Sequence, residues 1–148
     1  MDDDVELAIP ARAEFVALVR LVVSSVAADH GLTDDRIDDL KIAVSEACTN
    51  AIEAHRQSGR DDLVTVRCTD AGDRFVVHVE DRGRGFDVSA LPAHPPVTDP
   101  DRLKFERGLG IPLIRELVDE AEFESTAAGT AVRLAMRHEV LAPDGRQR

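Results

Sequence analysis

The sequence predicts an α/β (α+β) chain, a two-layer sandwich in which three helices cover one face of a mixed, mostly antiparallel sheet. Three observations predict it. Apolar residues recur at three- and four-residue steps over 11–28 and again from 34 to about 56. Two pairs of short alternating segments, 63–80 and 122–137, flank Gly-containing turns and read as hairpins. The resulting order is β-α-α-β-β-α-β-β, and strands delivered as hairpins pair antiparallel.

Each element has its own signal. Val5–Ile9 alternates apolar and polar residues and stops at Pro10. Over 11–28 the apolar positions are Phe15, Leu18, Val19, Val22, Val23 and Val26, and Gly31 ends the helix. Thr33 is an N-cap residue for the next helix, with Asp34 and Asp35 suited to the positive end of its dipole. Its apolar stripe is Ile37, Leu40, Val44, Ala47 and Ala51, and Ser58-Gly59 breaks it. Strands at 63–69 and 74–80 flank the turn Asp70-Ala71-Gly72-Asp73. A loop rich in Gly, Pro and charge fills 81–107, and loops this long in compact domains are functional or mobile. Residues 108–120 read as a helix, and strands at 122–126 and 130–137 close on Ala127-Ala128-Gly129. The expected organisation is one domain over 1–138, a lid at about 82–107, and a frayed tail at 139–148.

Composition excludes several functions. The chain has 148 residues, enough for one packed core. A net charge of −11 argues against neutralising a nucleic-acid backbone or an anionic membrane surface. With five Phe and no Trp or Tyr, no stacking platform for single-stranded nucleic acid is available. No apolar run approaches the ~20 residues that span a bilayer. The acidic start Met1-Asp2-Asp3-Asp4 is unlike a secretory leader. Cys48 and Cys68 have no metal spacing and read as buried free thiols in a reducing compartment. The five histidines are scattered and read as surface or satisfied side chains. These features together predict a cytoplasmic protein.

Three segments carry chemistry. Glu46 and Asn50 are four apart on the second helix, hence on one face, beside the apolar stripe. Glu with Asn suits a hard cation and a polarised water or hydroxyl, and a solvated helix flank is the plain alternative. Asp81 follows Phe75, Val77 and Val79 in strand register, which turns a carboxylate toward the core. Such a group must be paired, and a base bearing an exocyclic amino group is a fitting partner. Gly83 and Gly85 let the backbone turn sharply and approach a ligand; an ordinary Asp-Gly turn is the alternative. Finally, Arg107-Gly108-Leu109-Gly110-Ile111-Pro112 opens a helix, whose free N–H groups suit phosphate, with Arg107 adding a charge-assisted contact. A glycine-rich loop-to-helix junction without a ligand is the alternative there.

The order of these segments, with Gly129-Thr130 opening the last strand, resembles the Bergerat ATP-binding fold of gyrase, Hsp90, histidine kinases and MutL proteins. Within it the chain resembles the anti-sigma-factor serine kinases. The stretch from Ser45 to His55 looks like their signature, as does Arg107 to Ile114 followed by Leu117-Val118-Asp119-Glu120. The resemblance implies a Mg·ATP-dependent serine kinase. It would phosphorylate an anti-anti-sigma (STAS-type) partner and sequester an RNA polymerase sigma factor by partner switching. A nucleotide-binding anti-sigma module with little kinase activity, or another regulatory binding module, is the alternative. The implied roles are Mg²⁺ on Asn50, the serine hydroxyl on Glu46, the adenine amino group on Asp81, and the γ-phosphate on Arg107. Gly83, Gly85, Gly108, Leu109 and Gly110 would shape the pocket, and Thr130 would line its adenine end. Glu106-Arg107 stands where some relatives have a small residue or an extra Gly. A homodimer through the start of the chain or a sheet edge is also implied.

Overall fold

The computed structural model of the protein describes residues 4–59, 61–83, 110–126 and 128–138. The expected lid beyond Gly83 and the expected tail lie outside them. The elements are β1 (Val5–Ile9), α1 (Val16–Asp29), α2 (Asp34–Ser58), β2 (Val64–Asp70), β3 (Arg74–Glu80), α3 (Gly110–Leu117), β4 (Glu120–Thr126) and β5 (Gly129–Arg137).

Apolar alternation and hairpin turns place the strands in one five-stranded sheet, ordered β1-β2-β3-β5-β4. Every neighbouring pair is antiparallel. The sheet is therefore not mixed at the level of pairing. β3 and β4 do run in the same direction, but the returning strand β5 lies between them, so the crossover through α3 creates no parallel ladder.

Helix boundaries shifted for local reasons. Residues 13–15 form a single 3₁₀ turn, and α1 starts at Val16 rather than Ala11 because Arg12 is extended (φ −135°, ψ 139°) after Pro10. Thr33 stands at the N-cap of α2 with extended backbone, its carbonyl accepting from the Ile37 N–H at 2.9 Å. Gly59 ends α2 in the left-handed region at φ 65°, where a residue without Cβ pays no steric cost. α3 stops at Leu117, since Glu120 is already paired with Ala135 as the first residue of β4.

The core lies between the helices and one sheet face. β3 contributes Phe75, Val77 and Val79, β5 contributes Val132, Leu134 and Met136, and β2 contributes Val64, Val66 and Cys68. α2 answers with Leu40, Val44, Ala47 and Ala51, α1 with Val19 and Val23, and α3 with Ile114. Each fully buried aliphatic side chain stabilises the fold by roughly 1.5–3 kcal/mol. Ala43, Ala47, Cys48 and Ala51 are small, so α2 packs closely over the strands that carry the candidate site. Burial pushes the Cys48 thiol up to about 12 and the Cys68 thiol up to about 11, which makes both poor nucleophiles.

The other sheet face is mainly polar, with Val76 and Ala135 paired and buried within it. One cross-strand row reads Glu6, Arg67, His78, Arg133, Glu122. Arg74 pairs with Glu120 at 2.6 Å, and Arg133 reaches the same carboxylate at 3.5 Å. At the other end of α3, Asp119 pairs with Arg36 of α2 and accepts from the Arg137 N–H at 2.7 Å. These contacts tie the β4 edge and α3 to the body of the sheet.

Candidate nucleotide site

The site is built where β3 ends, β5 begins and α2 passes over them. Strand parity carries Val77 and Val79 on to Asp81, which points to the helix side and is 8% exposed. The Asp81 N–H donates to the Thr130 carbonyl at 2.9 Å, extending the β3–β5 ladder by one residue. Asp81 Oδ1 accepts from the Gly83 N–H at 2.9 Å and the Thr130 N–H at 3.3 Å. Burial pushes the Asp81 carboxyl above the ordinary aspartate range, and these two amides and the nearby His55 work against that rise. The carboxylate is thus held in one orientation at a site that disfavours its charge.

Two glycines permit the close approach. A Cβ on Gly83 would lie 2.6 Å from the Ala54 carbonyl carbon and 2.8 Å from the His55 nitrogen, inside the α2 backbone. Gly129 has φ 144°, and a Cβ there would collide with the Asp81 carbonyl oxygen.

A cleft opens beside Asp81. α2 lines it with Ala47, Asn50 and Ala51, β3 with Val79 and Asp81, β5 with Thr130 and Val132, and β4 with Phe123 and Ser125. Apolar walls with a few convergent polar groups are the usual make-up of a small-molecule site. The Thr130 hydroxyl is buried and has no hydrogen-bond partner among the described residues, so it is an open donor and acceptor at the cleft. The polar and apolar groups of this set suit the edges of a flat, mainly apolar ring with an amino group toward Asp81 and a polar edge toward Thr130; the cleft itself is narrow, with a free volume of about 10 Å³.

The structure therefore brings Asn50, Asp81 and Thr130 to one cleft, with Gly83 forming its turn. Gly110 is the first described residue of α3. Gly85, Arg107, Gly108 and Leu109 lie outside the described residues. Glu46 sits one turn before Asn50 and is half-buried, but it borders a second, wide groove between α1 and α2. Arg20, Asp38, Lys41, Ile42 and Ser45 share that groove, where the Arg20 guanidinium donates to Ser45 Oγ at 3.4 Å. Asn50 and Glu46 thus face two adjoining openings rather than one.

Two features were not foreseen. Phe123 and Ser125 line the cleft from β4; their alternation marked a strand but not which partner they would face. His55 is not on the surface and is only half satisfied: it is fully buried, Nε2 accepts from the Arg82 N–H at 2.9 Å, and Nδ1 has no partner among the described residues. Its spacing, four residues after Ala51 on the buried stripe, was the available signal.

A family model described as a histidine kinase-like ATPase domain matches residues 9–136. The chain belongs to the histidine kinase-like ATPase family. Among curated members, the serine-protein kinase RsbW of Bacillus velezensis is 42% identical over 132 residues, covering 86% of this chain and 82% of that protein. The RsbW of Bacillus subtilis is 39% identical over 132 residues, with the same coverage of 86% and 82%. Solved structures share the histidine kinase-like ATPase fold at lower identity. The RsbU and RsbW domains of a Mycobacterium tuberculosis protein align with TM-score 0.68 at 23% identity, over 90% of this chain and 32% of that one. The SiaB–SiaC complex of Pseudomonas aeruginosa aligns with TM-score 0.62 at 14% identity, over 89% of this chain and 88% of that one. No helix among the described residues is long and apolar enough to cross a membrane.

Proposed function

We propose that this chain is an ATP-dependent serine-protein kinase that acts as an anti-sigma factor by partner switching. The observation that carries the reading is the anchored, buried carboxylate of Asp81 in one cleft with Asn50 and the orphaned Thr130 hydroxyl. Its support is family membership and the high identity to proteins named serine-protein kinases.

Asp81 accepts a hydrogen bond from the adenine amino group, and Thr130 bonds the edge of the same ring. Ala47, Ala51, Val79 and Val132 exclude water from it. Among the described residues no group of three or more His, Cys, Asp or Glu could hold a metal. Mg²⁺ would be held by the Asn50 side-chain oxygen together with phosphate oxygens, a pattern natural to this ion. Bound Mg²⁺ supplies neutralisation of the charge that develops on the transferred phosphoryl group. Arg107, Gly108, Leu109 and Gly110 are assigned to the phosphates, with Gly83 and Gly85 shaping the loop that leads to them. Glu46 takes the proton from a serine hydroxyl presented from the groove between α1 and α2.

The protein substrate is an anti-anti-sigma factor of STAS type, and the competing partner is an RNA polymerase sigma factor. Phosphorylating the first releases the kinase to sequester the second. The working unit is residues 1–138, in the cytoplasm, and the place for a second copy of the chain is the start of the chain or a sheet edge, such as that of β1, which has no strand beyond it among the described residues.

One observation favours a second reading. Glu46 borders the open groove and not the cleft itself, as in a nucleotide-binding module that sequesters its partner without transferring phosphate. Calorimetry with Mg·ATP tests what both share, and no binding by the wild type would end both. Phosphate transfer to a serine on the partner separates them.

A further inference from the structure

We infer that His55 is a positioning residue for the nucleotide site, a role that rests on the ATP reading above. Asp81, Arg82 and Gly83 form the turn that leaves β3, and each of their backbone N–H groups has a different acceptor. Asp81 N–H donates to the Thr130 carbonyl at 2.9 Å, Arg82 N–H to His55 Nε2 at 2.9 Å, and Gly83 N–H to the Asp81 carboxylate at 2.9 Å. His55 is the middle of the three and the only one supplied by the helix layer. It fixes the turn against α2 at the point where Gly83 packs on the Ala54 carbonyl.

The chemistry of the ring supports a dedicated role. Because Nε2 accepts, the proton sits on Nδ1, so His55 is the neutral Nδ1–H tautomer. That N–H is buried with no partner among the described residues, which is costly in a fold. A Leu at this fully buried position would avoid that cost, but it would strand the Arg82 N–H instead. The turn would then be free to rotate, and with it the Asp81 carboxylate that the Gly83 and Thr130 amides aim at the cleft. His55 touches no ligand itself and acts only through the Asp81–Gly83 turn.

The test uses His55→Leu, which removes the acceptor, and His55→Gln, whose Oε1 reaches the place of Nε2. Two quantities are read on the full chain: hydrogen exchange of the Arg82 and Gly83 amides without nucleotide, and the Kd for Mg·ATP. For His55→Leu, exchange at both amides and the Kd each rise about tenfold or more. For His55→Gln, both stay within about threefold of wild type, because the acceptor is restored. Melting temperatures fall in both variants and do not separate them. Should the Leu variant fail to fold, His55→Asn replaces it, since its oxygen falls a methylene short of Arg82.

Equal Kd values for the Gln and acceptor-less variants would overturn the inference and leave His55 a packing residue. So would wild-type exchange rates at Arg82 in His55→Leu. Absence of ATP binding by the wild type is a separate result. It would sink the nucleotide reading, while the exchange rates would still decide whether His55 holds the turn.

Discussion

Replacing Asp81 by Asn changes one atom and isolates its contribution. The Asn Oδ1 can still accept from the Gly83 and Thr130 amides at their present 2.9 and 3.3 Å, so the turn keeps its shape. What changes is the second atom, which becomes a donor where the carboxylate offered an acceptor. Against adenine this removes a charge-assisted hydrogen bond, about 1.5–3 kcal/mol, and sets two donors face to face, about 1–3 kcal/mol more. The sum is about 2.5–6 kcal/mol, so ATP affinity falls about 70-fold or more. Calorimetry measures it. Inosine triphosphate, whose ring offers a carbonyl in place of the amino group, should lose far less and narrow the gap to ATP. Stability supplies the control. Burial raises the Asp81 carboxyl in the folded chain, so its contribution is full below the ordinary aspartate value of 3.8 and is lost as pH rises through the raised folded value. Asn has no such contribution to lose. The melting temperature of Asp81→Asn relative to the wild type should therefore climb as pH rises above 3.8 and fall back toward the wild type's favour on acidification. An Asn variant that is folded and binds ATP within threefold of wild type would refute the assignment of Asp81 to the base.

Three further outcomes follow from the same site. Thr130→Val removes a buried hydroxyl with no described partner, so the nucleotide-free protein should be unchanged or stabilised by up to about 1 kcal/mol in denaturant unfolding, while ATP binds about fivefold to tenfold more weakly. Gly83→Ala drives a Cβ into the α2 backbone at 2.6 Å from the Ala54 carbonyl carbon, so the chain should lose about 1–3 kcal/mol of stability in urea titrations and most of its ATP affinity. Glu46→Gln should leave the Kd for ATP within about threefold, because Glu46 is outside the cleft, yet slow phosphate transfer to the partner by about 10²–10⁴.

The sequence revealed the elements better than their neighbours. α2 was legible because Ile37, Leu40, Val44, Ala47 and Ala51 repeat at helical spacing over its length. The hairpins were legible from alternation around Gly72 and Gly129. Insertion of β5 between β3 and β4 was not, since strand order is set by long-range packing and leaves no local mark. The start of α1 was misplaced because the extended backbone at Arg12 outweighs the helical pattern around it. At the site, Asp81 was legible because strand parity alone turned a carboxylate inward, whereas Thr130 came only through the family resemblance. The division between Asn50 at the cleft and Glu46 at the groove was hidden, because helical spacing gives a shared face but not where one opening ends and the next begins. His55 was overlooked because its partner is a backbone amide, and a search for metal spacing among histidines is blind to such a bond.

The most direct test of the kinase reading is phosphate transfer itself. The chain is incubated with Mg²⁺ and γ-labelled ATP together with each STAS-type protein encoded in the same genome, and the products are read by mass spectrometry. The account predicts one such protein carrying a single phosphoserine, with the label lost when Glu46→Gln or Asp81→Asn replaces the wild type. Tight Mg·ATP binding without label on any of those proteins would contradict it, and would leave a nucleotide-binding module that holds its partner without modifying one.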